Sequence, residues 1–268
     1  MLARATVAEP KPVRRSARAP IAASDDDRAI LERLKQLELP EGDGVPLESD
    51  YHVMQIPLLD DVVRQHLGDT RDYFCGGNMF IYYSLEQAQD VIEYVAGRKR
   101  EARYKGPDFF LVKGVDGMKR RGKWVVWEEN GRYPDLIIEV VSPSTRRKDE
   151  RENKRLYAQV FRTPEYFMYD RLRRRLVGYR LALSRERYRR IAPDARGWLW
   201  SEVLQAYLGV WEGEYHGRVY EWLRLYDADG NLVPTHTERA VARAERAENE
   251  LRRLRVVLQE RGIDINDS

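Results

Sequence analysis

The sequence predicts an α/β protein, a mixed β-sheet flanked by helices and followed by a C-terminal coiled-coil-like helix. Three observations carry this. Strand-like apolar runs alternate with helix-spaced ones between about residues 51 and 191. One of them, 135–141 (DLIIEVV), is the most apolar strand-like run, as a central strand is expected to be. Finally, Ala240, Ala244, Ala247, Leu251, Leu254 and Leu258 recur at alternating spacings of four and three, the signature of an a/d seam.

The bounds agree. A chain of 268 residues with 43% hydrophobic, 10% aromatic and 34% charged residues is long enough to bury a core, and 16 Tyr, 6 Trp and 6 Phe exclude a wholly disordered chain. No apolar run reaches the roughly 18 residues that a membrane span requires. The single cysteine, Cys75, excludes an intramolecular disulfide and a thiolate-built zinc site, which makes a reducing, cytoplasmic setting the expectation. A net charge of +3 is too mild to imply polyanion binding, so that case rests on local clusters.

In chain order, residues 1–23 read as a disordered basic leader: Arg4, Lys11, Arg14, Arg15 and Arg18 face the single acid Glu9, and Pro10, Pro12 and Pro20 oppose helix. Residues 24–44 read as an N-terminal helix and linker, opened by Ser24 and Asp25 to Asp27 and stopped at Pro40. The main domain spans 45–230. Within it, 51–67 is helix-spaced, with Pro57 as a kink or a true start. Strands are expected at 78–84, 108–112, 124–128 and 135–141, with a helix or irregular crossover at 85–95. A helix at 149–160, a strand at 165–170 and a hairpin from 176–183 and 188–191 follow. Thr235 and Glu238 have capping-box spacing and open the C-terminal coiled-coil helix, 235–262.

The chemistry-bearing candidates are Asp108 and Glu139. Glu139 sits inside an otherwise core-like strand, where a carboxylate is expensive unless paired or coordinated. Alternation puts Asp135, Ile137, Glu139 and Val141 on one face, and Leu136, Ile138 and Val140 on the other. If the strand of Asp108 neighbours this one, two or three carboxylates converge, an arrangement suited to Mg²⁺. Lys154, on the following helix, can project toward them and offset phosphate charge. The plainer readings are an Arg-paired structural Glu139, a solvated Lys154 and an Asp135 that caps the strand entry.

At these residues the sequence becomes recognisable. The stretch 131–145 (GRYPDLIIEVVSPST), the Lys154-x-x-Tyr157 pair, 163–170 (TPEYFMYD), 106–112 (GPDFFLV) and 46–52 (PLESDYH) together resemble the Uma2 family (DUF820), a restriction-endonuclease-like family, over about residues 45–185. The resemblance implies a PD-(D/E)xK nuclease core, with Asp108 and Glu139 as catalytic and metal-holding acids and Mg²⁺ (or Mn²⁺) as cofactor, joined by the Val140 carbonyl. Val141 occupies the E-x-K lysine position, and Lys154 matches a lysine moved to the next helix. Glu48 is a loose match to a helix-borne extra acid.

Two basic clusters suit DNA backbone contacts: Arg98, Lys99, Arg100, Arg103 and Lys105, which lead into Asp108, and residues 171–190, with nine Arg against Glu186 alone. Trp198, Trp200, Trp211 and Trp222 read as core or interface residues. The expectation is a metal-dependent DNA endonuclease, dimeric through its C-terminal helix and without a membrane segment. The alternative is a catalytically silent nuclease-fold module that binds nucleic acid or a protein partner through that helix. A sugar-cleaving pair of acids is a poor third, since nothing suggests a sugar cleft.

Overall fold

The computed structural model describes residues 49–68, 71–100, 105–141, 148–182 and 187–261, together with Glu32, which is helical. The expected leader, the rest of the N-terminal helix, Glu48, Arg103 and the turn at 142–145 lie outside the described residues. All the elements named below belong to one unit, Pro40–Ser268.

Helix α1, Asp50–Leu67, starts where Ser49 caps it by accepting from the His52 amide. It carries Pro57 within it, on the exposed side, where the missing N–H is least damaging. Leu58, Leu59, Val62 and Val63 are fully buried, so the helix meets the sheet along one stripe.

The strands that follow are β1 (Tyr73–Gly76), β2 (Ile81–Tyr82), β3 (Phe109–Lys113), β4 (Trp124–Val125) and β5 (Leu136–Val140), with helix α2 (Leu85–Val95) between β2 and β3. Helix α3 runs as two wide-turn segments, Lys148–Asn153 and Tyr157–Phe161, around one α-helical turn, Lys154–Leu156. Strands β6 (Glu165–Asp170), β7 (Arg175–Ala182) and β8 (Arg187–Arg190) complete a six-stranded sheet ordered β1-β3-β5-β6-β7-β8. Only β5 and β6 run parallel; the other four pairs are antiparallel. The expected 176–183 and 188–191 hairpin is the β7–β8 pair.

β5 is central and buried along its whole length. Its alternation is as the sequence predicts: Leu136, Ile138 and Val140 join the core beneath α1, while Ile137 and Val141 join the core that contains Tyr157 and Phe161 of α3. Opposite Phe167 in the β6–β7 register stands Gly178, where a Cβ would lie 2.6 Å from the Phe167 ring. The absent side chain is what lets that ring lie against the strand.

Several expectations are corrected. The strands proposed at 78–84 and 124–128 shrink to the two-residue β2 and β4, which pair parallel in a separate small sheet. Beyond Val125 the chain turns: the Glu129 and Gly131 amides donate back to the Val125 and Val126 carbonyls. β1 was not expected. Nor was the second sheet, β9 (Leu199–Ser201), β10 (Ala206–Tyr215) and β11 (Arg218–Tyr226) in the order β11-β10-β9, which closes over α1. Trp222 is fully buried there, stacked on Tyr51 at 5.1 Å, and Trp198 stacks on Tyr226.

Helix α4, His236–Glu260, follows with the anticipated capping box between Thr235 and Glu238. Among the described residues, no helix is long and apolar enough to cross a membrane.

Candidate active site

The β3–β5 register pairs Phe109 with Ile138; one step further it sets Asp108 opposite Glu139. There the two acids clasp each other through the backbone. The Asp108 amide donates to Glu139 Oε2 at 3.1 Å, and the Val140 amide donates to Asp108 Oδ2 at 2.6 Å. Each carboxylate is thus held by the strand that carries the other.

Glu139 is 5% exposed, and a carboxylate so buried persists only with donors. Its Oε1 accepts from the Tyr157 hydroxyl at 2.8 Å and, over a long 3.5 Å, from Asn153 Nδ2. Both donors stand on α3, the crossover between β5 and β6. On the far side of Asn153, its Oδ1 accepts from Lys105 Nζ at 2.6 Å.

α1 reaches the same strand end. His52 Nε2 lies 2.6 Å from the Val140 carbonyl oxygen and Nδ1 lies 3.0 Å from Ser49 Oγ. A carbonyl only accepts, so Nε2 carries the proton. The carbonyl expected to join Asp108 and Glu139 at a cation is therefore engaged by a histidine.

Lys154 opens the single α-helical turn of α3. Its Nζ sits 3.6 Å above the Tyr179 ring centroid on β7, a cation–π contact, while its chain neighbour Asn153 touches Glu139. Val141, at the strand position where an E-x-K lysine would stand, is 8% exposed and packed in the α3-side core. Asp135 does not join the acids. It lies at the opposite end of β5, where its Oδ2 accepts from the Lys113 amide at 2.8 Å and pairs with Arg132 at 3.8 Å. There burial pushes the Lys113 ammonium below its ordinary range, against the pull of Asp135 and Glu165.

The basic clusters are partly consumed within the fold. Lys99 pairs with Asp90 and Glu93 at 2.6 and 3.1 Å. Arg174 pairs with Glu221, Arg173 with Asp170 and Arg180 with the buried Glu165. Arg187, Arg189 and Arg190 are exposed on β8.

Among the described residues, no group of three or more His, Cys, Asp or Glu side chains is arranged to hold a metal ion. A pair of hard-oxygen carboxylates nevertheless suits Mg²⁺, which is bound by one or two carboxylates and completes its shell with waters and substrate phosphate. His52, Asn153 and Lys105 were not singled out for the site by sequence. Two of them had a signal: Lys105 as the last basic residue before Asp108, and His52 as the end of the 46–52 block that carries the family resemblance.

The Uma2 family, described as a putative restriction endonuclease, matches residues 27–211, and the chain belongs to it. Among solved structures, it is similar to a putative nuclease belonging to DUF820 from Anabaena variabilis ATCC 29413, at 14% identity over 62% of this chain and 86% of that one, with a TM-score of 0.39. No curated protein matches.

Proposed function

We propose that this chain is a metal-dependent DNA endonuclease acting in the cytoplasm, with Asp108 and Glu139 holding Mg²⁺ (or Mn²⁺) within the 45–230 domain. The observation that carries the reading is the reciprocal Asp108–Glu139 clasp: two carboxylates fixed at one strand end, one of them buried within an otherwise apolar core strand. A divalent cation bound there supplies positive charge that acidifies water and offsets the charge growing on a phosphodiester. The protein's part is to hold the acids. Tyr157 and Asn153 fix the Glu139 carboxylate, the Val140 amide fixes that of Asp108, and His52 fixes the Val140 peptide from behind. Lys154, next to Asn153 on α3, would offer cationic charge to the phosphate.

One observation favours a second reading of the lysine. Lys105 Nζ is linked to Glu139 through Asn153, whereas Lys154 rests on an aromatic face, so Lys105 can serve as the cation beside the acids. If neither lysine serves, the buried Val141 fits the silent module.

Plasmid nicking with Mg²⁺ or Mn²⁺ tests these readings, using Glu139→Gln (which keeps the side chain's shape), Lys154→Ala and Lys105→Ala, each checked for folding by its thermal melt. The expected result is metal-dependent nicking lost in Glu139→Gln and in Lys154→Ala. Loss in Lys105→Ala with Lys154→Ala active transfers the role to Lys105. Nicking that survives Glu139→Gln sinks the site assignment, and a folded wild type that never nicks but binds DNA leaves the silent module.

A further inference from the structure

Among the described residues, α4 is tied to its own domain only at its first turn. The His236 amide donates to Asp61 at 3.0 Å, Arg239 reaches the Gln65 carbonyl at 3.4 Å and Glu238 pairs with Arg224 at 2.8 Å. No residue of the helix is buried. Five of its larger apolar side chains, Val241, Leu251, Leu254, Val256 and Val257, are 42–56% exposed. A helix of this length spans about 37 Å at 1.5 Å per residue, and nothing among the described residues covers its leucine face.

The sequence of that face says what does. Ala240, Ala247 and Leu254 take d positions of a heptad, and Ala244, Leu251 and Leu258 take a positions. The flanking g positions are then Arg243, Glu250 and Val257, and the e positions Val241, Glu248 and Arg255. In a parallel, in-register pair each g side chain meets the partner's e side chain five residues further on. That sets Arg243 against Glu248 of the partner subunit, and Glu250 against Arg255 of the partner subunit. Both contacts join opposite charges, and the two-fold axis repeats each of them.

We infer that α4 pairs with α4 of a second copy of this chain as a parallel, in-register two-stranded coiled coil. The polarity has a structural consequence. The two-fold axis runs along the coil, so both domains hang from its N-terminal end, and two Asp108–Glu139 clasps share one end of the dimer. With small alanines in the first layers and leucines only in the last three, the association is concentration-dependent.

Sedimentation velocity on the full chain, from micromolar to hundreds of micromolar, reads the association directly and independently of any nuclease activity. The wild type is expected to shift toward twice the chain mass as concentration rises. Arg243→Glu should raise the dissociation constant roughly tenfold, by turning two attractions into repulsions, and the double variant Arg243→Glu/Glu248→Arg should restore it. Ala247→Cys should cross-link the dimer on oxidation, because the parallel, in-register pair sets position 247 against itself; the native Cys75 is buried. A chain that stays monomeric throughout overturns the inference. So does a dimer indifferent to Arg243→Glu, and so does failure of the 247 cross-link in a dimer that forms.

Discussion

His52 and Val140 are joined by a 2.6 Å hydrogen bond from the imidazole Nε2 to the carbonyl oxygen, which ties α1 to the end of the central strand one residue beyond Glu139. Residue Val140 is thereby held on both sides, since its amide donates to Asp108. Replacing His52 with Ala releases the carbonyl and loosens the geometry on which the clasp depends. The expected result is a loss of about 1 kcal/mol of stability, the worth of one such bond, with a larger proportional loss of metal-dependent nicking. Paired urea melts and nicking rates separate the two, and a nicking rate unchanged from wild type would make His52 structural only.

Tyr157 is 1% exposed and its hydroxyl donates to Glu139 Oε1 at 2.8 Å. Tyr157→Phe keeps the ring that packs edge-on against Tyr166 and removes only the donor. Stripping a donor from a buried carboxylate is expected to destabilise by about 1–3 kcal/mol. The midpoint of urea denaturation is the check; an unshifted midpoint would mean that another donor had taken the place of the hydroxyl.

Away from the site, Glu129 accepts from Arg121 Nε at 2.8 Å and Nη2 at 2.9 Å, and from Lys119 at 2.7 Å. Burial is the largest single influence on its carboxyl and pushes it up, yet Arg121 and Lys119 together hold it below its ordinary value of 4.5. The stabilisation is therefore complete above pH 4.5 and is lost as the pH falls through the lowered value. Glu129→Gln should cost about 3 kcal/mol near neutrality, because the Arg121 side chain is only 3% exposed and loses its counter-charge. Melting temperature followed from neutral pH downward should fall less steeply in the variant. Identical acid limbs would show that this group does not govern the descent.

Glu238 serves two neighbours at once: its Oε2 accepts from the Thr235 amide at 2.6 Å and from Arg224 at 2.8 Å. Arg224 is fully buried, and its Nε has no partner among the described residues. Glu238→Ala breaks the capping box and leaves that guanidinium without its counter-charge. Since Glu238 itself is 39% exposed, solvent softens the loss to about 2 kcal/mol. Limited proteolysis should cut the start of α4 faster in this variant, and an unchanged cutting rate would show that the helix does not depend on this anchor.

The sequence was most legible where one physical constraint dominates. β5 announced itself because a strand buried on both faces must be continuously apolar, and Glu139 stood out as the exception to that rule. α4 was legible from its cap and seam, which are local. β1 was missed because four residues give no period to read. β9 to β11 went unassigned because their aromatic and charged residues alternate irregularly, and their burial is set by α1 lying beneath. The site divided the same way. Asp108 opposite Glu139 follows from strand pairing, but His52 arrives from 88 residues away, a distance no local pattern spans. Lys154 lies over Tyr179, a ring on β7 that sequence could not place beside it.

The arginines of β8 have a meaning apart from any ligand. β8 ends the six-stranded sheet, and among the described residues nothing pairs with its outer side. An open edge of this kind is a template on which another molecule's strand can add, the first step of aggregation. Three exposed arginines in a four-residue strand make two such edges repel each other, which keeps the sheet from growing sideways. That protection is electrostatic, so its range shrinks to about 3 Å at 1 M salt. Concentrated salt is thus expected to weaken that repulsion at the β8 edge.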